Sequence, residues 1–170
     1  MGNNLLELTG VSAELQRKRI IDTINLAVPK RSRVSIIGTS GCGKSTLLKL
    51  IAGLLRAPAW QVTGQAAIEG KCFNAGDSAT LLTNCGRQYA FIAQDSLSIF
   101  DPRLKIKEHF LEISRLRDGE KEEFLLQVMS LLRNLLITDP ERVLGSYRNE
   151  LSGGTLQRIS IAMGLIHKPR

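Results

Sequence analysis

The chain has 170 residues, of which 43% are hydrophobic, and a formal net charge of +7. A chain of this length can bury a core as a single domain. No apolar run reaches the roughly 18 residues that a membrane-spanning helix needs. The N-terminal stretch MGNNLLELTG has neither the basic start nor the apolar core of a secretion signal, so we expect a cytoplasmic protein.

Basic residues are dispersed along the chain, and the aromatic residues, 5% of the total, are not interleaved with them. This favours a solvated basic face over a nucleic-acid partner. The three cysteines, Cys42, Cys72 and Cys85, are an odd number at spacings that suit neither a disulfide framework nor a zinc site. We interpret them as reduced thiols.

The first half of the chain alternates strand and helix patterns. Alternating apolar residues over 24–28 predict a strand, and VSII at 34–37 predicts a second, buried strand. Helical periodicity begins at Lys44 and ends before Pro58. The sequence therefore predicts a strand, a glycine-rich loop and a helix in immediate succession.

The middle of the chain predicts strands near 64–70 and 88–94, separated by a connection rich in Gly, Asn, Asp and Ser at 74–86. After Asp101-Pro102 the periodicity becomes helical and predicts two amphipathic helices. A last helix is predicted over 155–167.

Residues 38–45, GTSGCGKS, match the pattern G-x-x-x-x-G-K-[ST] and follow a predicted strand. Glycines let successive backbone amides converge on a β-phosphate, Lys44 can reach the β- and γ-oxygens, and the Ser45 hydroxyl can bind Mg²⁺. The alternative is a glycine-rich turn beside a solvated lysine. The predicted nucleotide contacts are Gly38, Thr39, Ser40, Gly41, Cys42, Gly43, Lys44, Ser45 and Thr46.

A second anion-binding feature lies in ELSGGTLQR at 150–158. Ser152 is a good helix N-cap, and Gly153 and Gly154 leave the backbone amides of the first turn uncovered. An apolar helix follows, so this helix start is predicted to bind an anion.

LSGGTLQR resembles the signature motif of ATP-binding cassette proteins, and FIAQD at 91–95 resembles their Q-loop, in the expected order after the P-loop. The resemblance implies an α/β P-loop NTPase with an antiparallel β subdomain and a helical insert. It divides the nucleotide-binding domain, 1–170, into a β and P-loop core (1–96), a helical subdomain (97–150) and a signature helix (151–170).

The resemblance also implies roles for site residues. Gln94 would bind Mg²⁺ or the attacking water and link the site to a membrane subunit, although alone it would be interpreted as a polar residue ending a strand. Lys44 and Gln94 are thus the expected catalytic residues. Ser152, Gly153 and Gly154 would contact ATP bound by a second cassette.

The stretch AQDSLSIFDPRLKIKEHF is similar to importer ATPases for dipeptides, oligopeptides and nickel. This implies an energy-coupling subunit that uses ATP and Mg²⁺ and pairs with a second ATPase subunit, as a homodimer or heterodimer. It would bind transmembrane permease subunits, with residues 97–150 docked on them, at the inner face of the cell membrane.

The sequence departs from the family at several positions. Leu15 stands where the family usually offers an aromatic ring to adenine, and Thr155 replaces the commoner Gln or Met. His109 and His167 are predicted to be surface or packing residues rather than the family's histidine switch.

The chain stops at Arg170, before the family's Asp-Glu strand. We therefore expect a truncated chain with an incomplete central parallel sheet and slow or no hydrolysis. Two alternatives stay open. One is a non-hydrolysing nucleotide-binding fragment. The other is a soluble cassette acting on nucleic acid or ribosomes, which would predict a tandem cassette and concentrated basic arms.

Overall fold

The computed structural model describes residues 3–84, 88–95, 97–114, 121–166 and 168–169. The chain divides into two compact units, Met1–Cys85 and Gly86–Arg170. No helix among the described residues is both long and apolar enough to cross a bilayer.

The first unit contains a four-stranded sheet in the order β2-β1-β3-β4, and every neighbouring pair is antiparallel. Its strands are β1 (Asn4–Leu15), β2 (Lys18–Pro29), β3 (Trp60–Ile68) and β4 (Lys71–Asn74). A two-residue turn joins β1 to β2, and both of its residues, Gln16 and Arg17, have positive φ. Such a turn matches the twist of the strands that it connects.

One face of β1 is buried from Leu6 to Ala13 in spite of an irregularity in the middle. Leu6 and Leu8 are buried on this face, and after a register shift Val11 and Ala13 are fully buried. Gly10, with φ of 59°, lies at the shift. The extra residue of the bulge keeps the apolar positions on the same face of the sheet.

The described residues of the first unit also form two helices, α1 (Lys44–Ile51) and α2 (Ser78–Asn84). The predicted helix from Lys44 is confirmed but ends earlier than expected. Helix α2 is a correction to the sequence prediction, which assigns 74–86 to a connection. The sequence signal for this helix is Asp77, a good N-cap residue directly before Ser78. In the structure its carboxylate accepts hydrogen bonds from the Thr80 amide and hydroxyl.

The second unit is helical, as the periodicity predicts. Its helices are α3 (Ile106–Ser114), α4 (Lys121–Asn134), α5 (Pro140–Gly145) and α6 (Gly153–Leu165), with a 3₁₀ turn at Arg148–Glu150. These helices share one hydrophobic core, which includes Phe100, Ile106, Phe110, Phe124, Val128, Leu132, Leu156 and Ile159.

Two predicted strands are wrong for this structure. Residues 32–39 have no regular secondary structure, and Val34 and Ile37 are 48% and 92% exposed rather than buried. Residues 88–95 contain a single isolated bridge, at Tyr89. A strand requires a neighbour along a ladder of hydrogen bonds, and no ladder in the described residues includes either segment. The described residues accordingly contain no parallel strand pair.

Candidate functional site

The glycine-rich loop opens helix α1 without a side-chain cap among the described residues. Its last glycine, Gly43, is the N-cap with φ of 97°, and Gly41 has φ of 80°. A Cβ atom on Gly43 would lie 3.0 Å from the Ile20 carbonyl oxygen of β2, so only glycine fits here without displacement. The first turn of α1 contains no acidic residue. Its amides and the helix dipole therefore favour an anion.

Lys44 places its ammonium group directly over this loop. Its Nζ atom donates hydrogen bonds to the carbonyl oxygens of Gly38 and Thr39, at 2.9 and 2.6 Å, and lies 3.6 Å from the Cys42 sulfur. The acceptors of the Lys44 ammonium are neutral backbone carbonyl oxygens. An incoming anion can therefore replace them as the acceptor without breaking an ion pair. A positive charge beside uncapped amides is the arrangement that binds phosphate groups.

The other predicted loop residues lie at the same end of α1. Ser40 and Ser45 are exposed, and Thr46 is half-buried. The Cys42 amide donates to the Thr39 carbonyl oxygen at 3.4 Å. Cys42 and Cys72 are free thiols, and Cys85 lies outside the described residues.

Helix α6 begins as the sequence predicts, with Ser152 as its N-cap. The Ser152 hydroxyl accepts a hydrogen bond from the Thr155 amide at 3.2 Å and shares another with the Thr155 hydroxyl at 2.9 Å. Gly153 and Gly154 are exposed, and a Cβ atom on either would meet no described atom within 4 Å. The helix start is therefore open to a ligand, although two groups of Thr155 already engage the Ser152 hydroxyl.

A cleft of about 280 Å³ lies beside this helix start. Asp139 and Glu150 line it together with Arg142 and Arg158, so its charge is mixed. The Arg158 guanidinium donates to the Leu136 carbonyl oxygen at 3.1 Å.

Gln94 is exposed and lies on a bend. The following residue, Asp95, caps the next turn: its carboxylate accepts from the Leu97 amide at 3.0 Å, and its carbonyl oxygen accepts from the Ser98 hydroxyl at 3.0 Å. An exposed side chain before a capped turn can approach a ligand while the turn keeps its shape.

The structure brings the predicted P-loop residues together in the first unit, while Gln94 and the signature residues belong to the second. His109 is a packing residue, 6% exposed, whose ring meets Phe100 edge to face at 5.3 Å. His167 lies outside the described residues.

Sequence reasoning missed Arg148, which anchors the segment after Gln94. Its Nη1 atom donates to the carbonyl oxygens of Leu97 and Phe100, each at 2.7 Å. No motif marks this arginine, and its partners lie about fifty residues away, so no local signal could have indicated the contact.

A lysine held over an uncapped, glycine-rich helix start defines the first unit as the nucleotide-binding part of a P-loop protein. Residues 21–170 match the family described as ABC transporter, and the chain belongs to that family.

Curated relatives are about 30% identical. The oligopeptide transport ATP-binding protein OppD of Haemophilus influenzae is 31% identical over 151 residues, which are 88% of this chain and 46% of that protein. The metal-staphylopine import ATP-binding protein CntD of Staphylococcus aureus is 31% identical over 155 residues, or 89% of this chain and 56% of that protein. The chain spans about half the length of these relatives.

Solved structures agree on the fold. The dimeric ATP-binding cassette MJ0796, in a post-hydrolysis state bound to ADP and Pi, superposes with a TM-score of 0.74 at 25% identity, covering 96% of this chain and 70% of the other. An ATP-binding subunit of an ABC transporter gives 0.73 at 25% identity, covering 97% and 63%. The P-loop NTPase fold and the family that the motifs predicted are thus confirmed.

Proposed function

We propose that this chain is the ATP-binding, energy-coupling part of an importer for peptides or metal complexes. The observation that carries the proposal is the Lys44 ammonium over the uncapped start of α1. Relatives named for oligopeptide transport and metal import support the substrate class.

On binding, the amides of the loop receive the β-phosphate, and Lys44 exchanges the carbonyl oxygens of Gly38 and Thr39 for phosphate oxygens. The Ser45 hydroxyl is exposed at the start of α1, where it fits as a ligand of Mg²⁺. Mg²⁺ held there would neutralise charge that develops on the phosphate oxygens. We propose that Gln94, whose side chain is exposed, binds Mg²⁺ or the attacking water.

The open start of α6 is proposed to act in a different site. Gly153 and Gly154 carry no side chain, and no described atom beyond their own helix backbone and chain neighbours lies within 4 Å of the position that a Cβ atom would take on either. We propose that they close on ATP held by a second cassette, in an assembly with permease subunits at the inner face of the membrane. ATP binding would drive this closure, and hydrolysis would reopen it.

Binding of Mg-ATP to the purified chain and to Lys44→Ala tests the proposal. A hydrogen bond to a charged group contributes about 1.5–3 kcal/mol, so we expect about 10- to 100-fold weaker binding by Lys44→Ala. Lys49→Ala is the matched control, because Lys49 is an exposed residue in the last turn of the same helix. Equal affinity of Lys44→Ala and the unaltered chain would contradict the proposal.

Phosphate release measured on the same samples separates the proposal from its alternative. Turnover that Lys44→Ala abolishes would support an ATPase. Saturable binding without turnover would favour a non-hydrolysing nucleotide-binding fragment.

A further inference from the structure

Leu15 and Trp60 lie directly opposite each other at one end of the sheet. They are register partners in the antiparallel pair of β1 and β3, and both are half-buried. Directly opposed residues of such a pair have Cβ atoms about 5 Å apart and point to the same face. Trp60 is the one tryptophan of the sequence.

This face of the sheet continues to the phosphate loop. Two residues farther along, Ala13 pairs with Val62 of β3 and, on its other side, with Ile21 of β2. The Ile21 side chain lies 3.7 Å from the position that a Cβ atom would take on Gly43. The leucine and tryptophan side chains therefore lie on the face that meets the start of α1.

The distances suit a nucleotide. Strands β2 and β3 are separated by two strand spacings, roughly 10 Å, which is within the length of a nucleotide whose phosphates lie at Gly43. Because Ala13 is fully buried, such a ligand would reach β3 at the turn end of β1, beside Leu15. The nearby turn residues Gln16 and Arg17 are exposed and polar. Leu15 and Trp60 supply the apolar surface at this end.

We propose that Trp60, with Leu15 beside it, receives the base of the nucleotide. This inference rests on the proposed function, because it requires phosphate groups at the P-loop. Leucine can cover a base but presents no ring, whereas an indole offers a π-face on which every base can stack. Because stacking is tolerant of base identity, the surface discriminates weakly between ATP and GTP.

The single tryptophan makes the proposal directly testable, because the chain's indole fluorescence reports only on Trp60. We expect Mg-ATP and Mg-GTP to change this emission saturably and with similar affinities. Inorganic tripolyphosphate with Mg²⁺ should compete with ATP, as followed by calorimetry, yet leave the emission nearly unchanged. Unchanged emission at saturating ATP overturns the proposal.

Variants give a second readout. Trp60→Ala should weaken ATP binding about tenfold or more, and Trp60→Phe should restore most of it, while tripolyphosphate binding stays the same in both. Phe73→Ala is the matched control, since Phe73 is a half-buried aromatic residue of β4 that pairs with Ala66, away from this end of the sheet.

The two proposals fail in different ways. If ATP binds in a Lys44-dependent manner and Trp60→Phe and Trp60→Ala bind it as tightly as the unaltered chain, the base-binding role is wrong and the proposed function stands. If neither ATP nor tripolyphosphate binds the unaltered chain, the proposed function is wrong, and the proposed role of Trp60 is then wrong as well.

Discussion

Arg148 donates a hydrogen bond to the carbonyl oxygen of Phe100 at 2.7 Å, across 48 residues of sequence. The same Nη1 atom binds the Leu97 carbonyl oxygen at 2.7 Å. The neighbouring Ser146 carbonyl oxygen accepts from the Ile106 amide. Together these contacts fix the segment that follows Gln94 to the turn that precedes the signature helix.

Replacing Arg148 with alanine should destabilise the second unit. The substitution removes two hydrogen bonds from a charged donor to backbone oxygens, and we expect a loss of about 2–3 kcal/mol in the free energy of unfolding. Urea unfolding followed by circular dichroism measures it. The matched control is Arg133→Ala. The ion pair of Arg133 with Glu141 is exposed and should contribute less than about 1 kcal/mol. Equal effects of the two substitutions would show that the contact to Phe100 contributes little.

Gly43 and Gly41 offer a paired test of the loop geometry. Both have positive φ, but a Cβ atom on Gly43 would lie 3.0 Å from the Ile20 carbonyl oxygen, whereas one on Gly41 would meet no described atom within 4 Å. Both Gly→Ala variants should lose about 1 kcal/mol from backbone strain. Gly43→Ala should lose more, because backbone must move. Thermal unfolding of the two variants compares them directly, and a smaller loss in Gly43→Ala would contradict the close packing of loop and strand.

The features that the sequence predicted are those with a local signal. The P-loop, the Ser152 cap and the helical stripe of Ile106 and Phe110 depend on spacing within one element, and the structure has all of them. Residues 34–37 have the apolar composition of a strand, but a strand also requires a partner elsewhere in the chain. Arg148 illustrates the same limit, since its acceptors are distant in sequence. Composition and periodicity do not indicate which residues far apart in the sequence come into contact.

Cys42 should be a sensitive reporter of nucleotide binding. Its thiol is exposed, lies 3.6 Å from the Lys44 ammonium, and sits 2.9 Å from where a Cβ atom on Gly38 would be. A group attached to this sulfur would fill the loop. We expect alkylation with N-ethylmaleimide to abolish ATP binding and bound ATP to slow the alkylation, as measured by mass spectrometry of the labelled peptides.

Cys72 is the control for this experiment, because it is an exposed free thiol on β4. Its labelling rate should not respond to ATP. The Cys42→Ser variant should retain ATP binding after treatment with the reagent. Loss of binding in treated Cys42→Ser would assign the inactivation to another cysteine.

Ser152→Ala should weaken the start of α6. The substitution removes the hydroxyl that accepts from the Thr155 amide, and loss of such a cap costs about 1 kcal/mol. Ser130→Ala is the control, because Ser130 is exposed within α4, where alanine favours the helix. Urea unfolding should show destabilisation for the first variant and none for the second. Equal stabilities would indicate that Ser152 does not cap the helix in solution.

The stability of the second unit should fall in acid partly through Asp101. The Arg103 guanidinium donates to both carboxylate oxygens, at 3.0 and 2.7 Å, and together with the Arg103 amide it holds the pKa of Asp101 well below its usual range. Because the folded pKa is lower than the unfolded value of about 3.9, this stabilisation is present above about pH 4 and is lost as the pH falls further. The unaltered chain should therefore lose more stability between about pH 5 and pH 3 than Asp101→Asn does. Arg103→Gln removes the partner that lowers this pKa and should show the same reduced dependence. The test is the free energy of unfolding of each variant, measured as a function of pH. If it falls as steeply for Asp101→Asn as for the unaltered chain, Asp101 is not a source of the acid sensitivity.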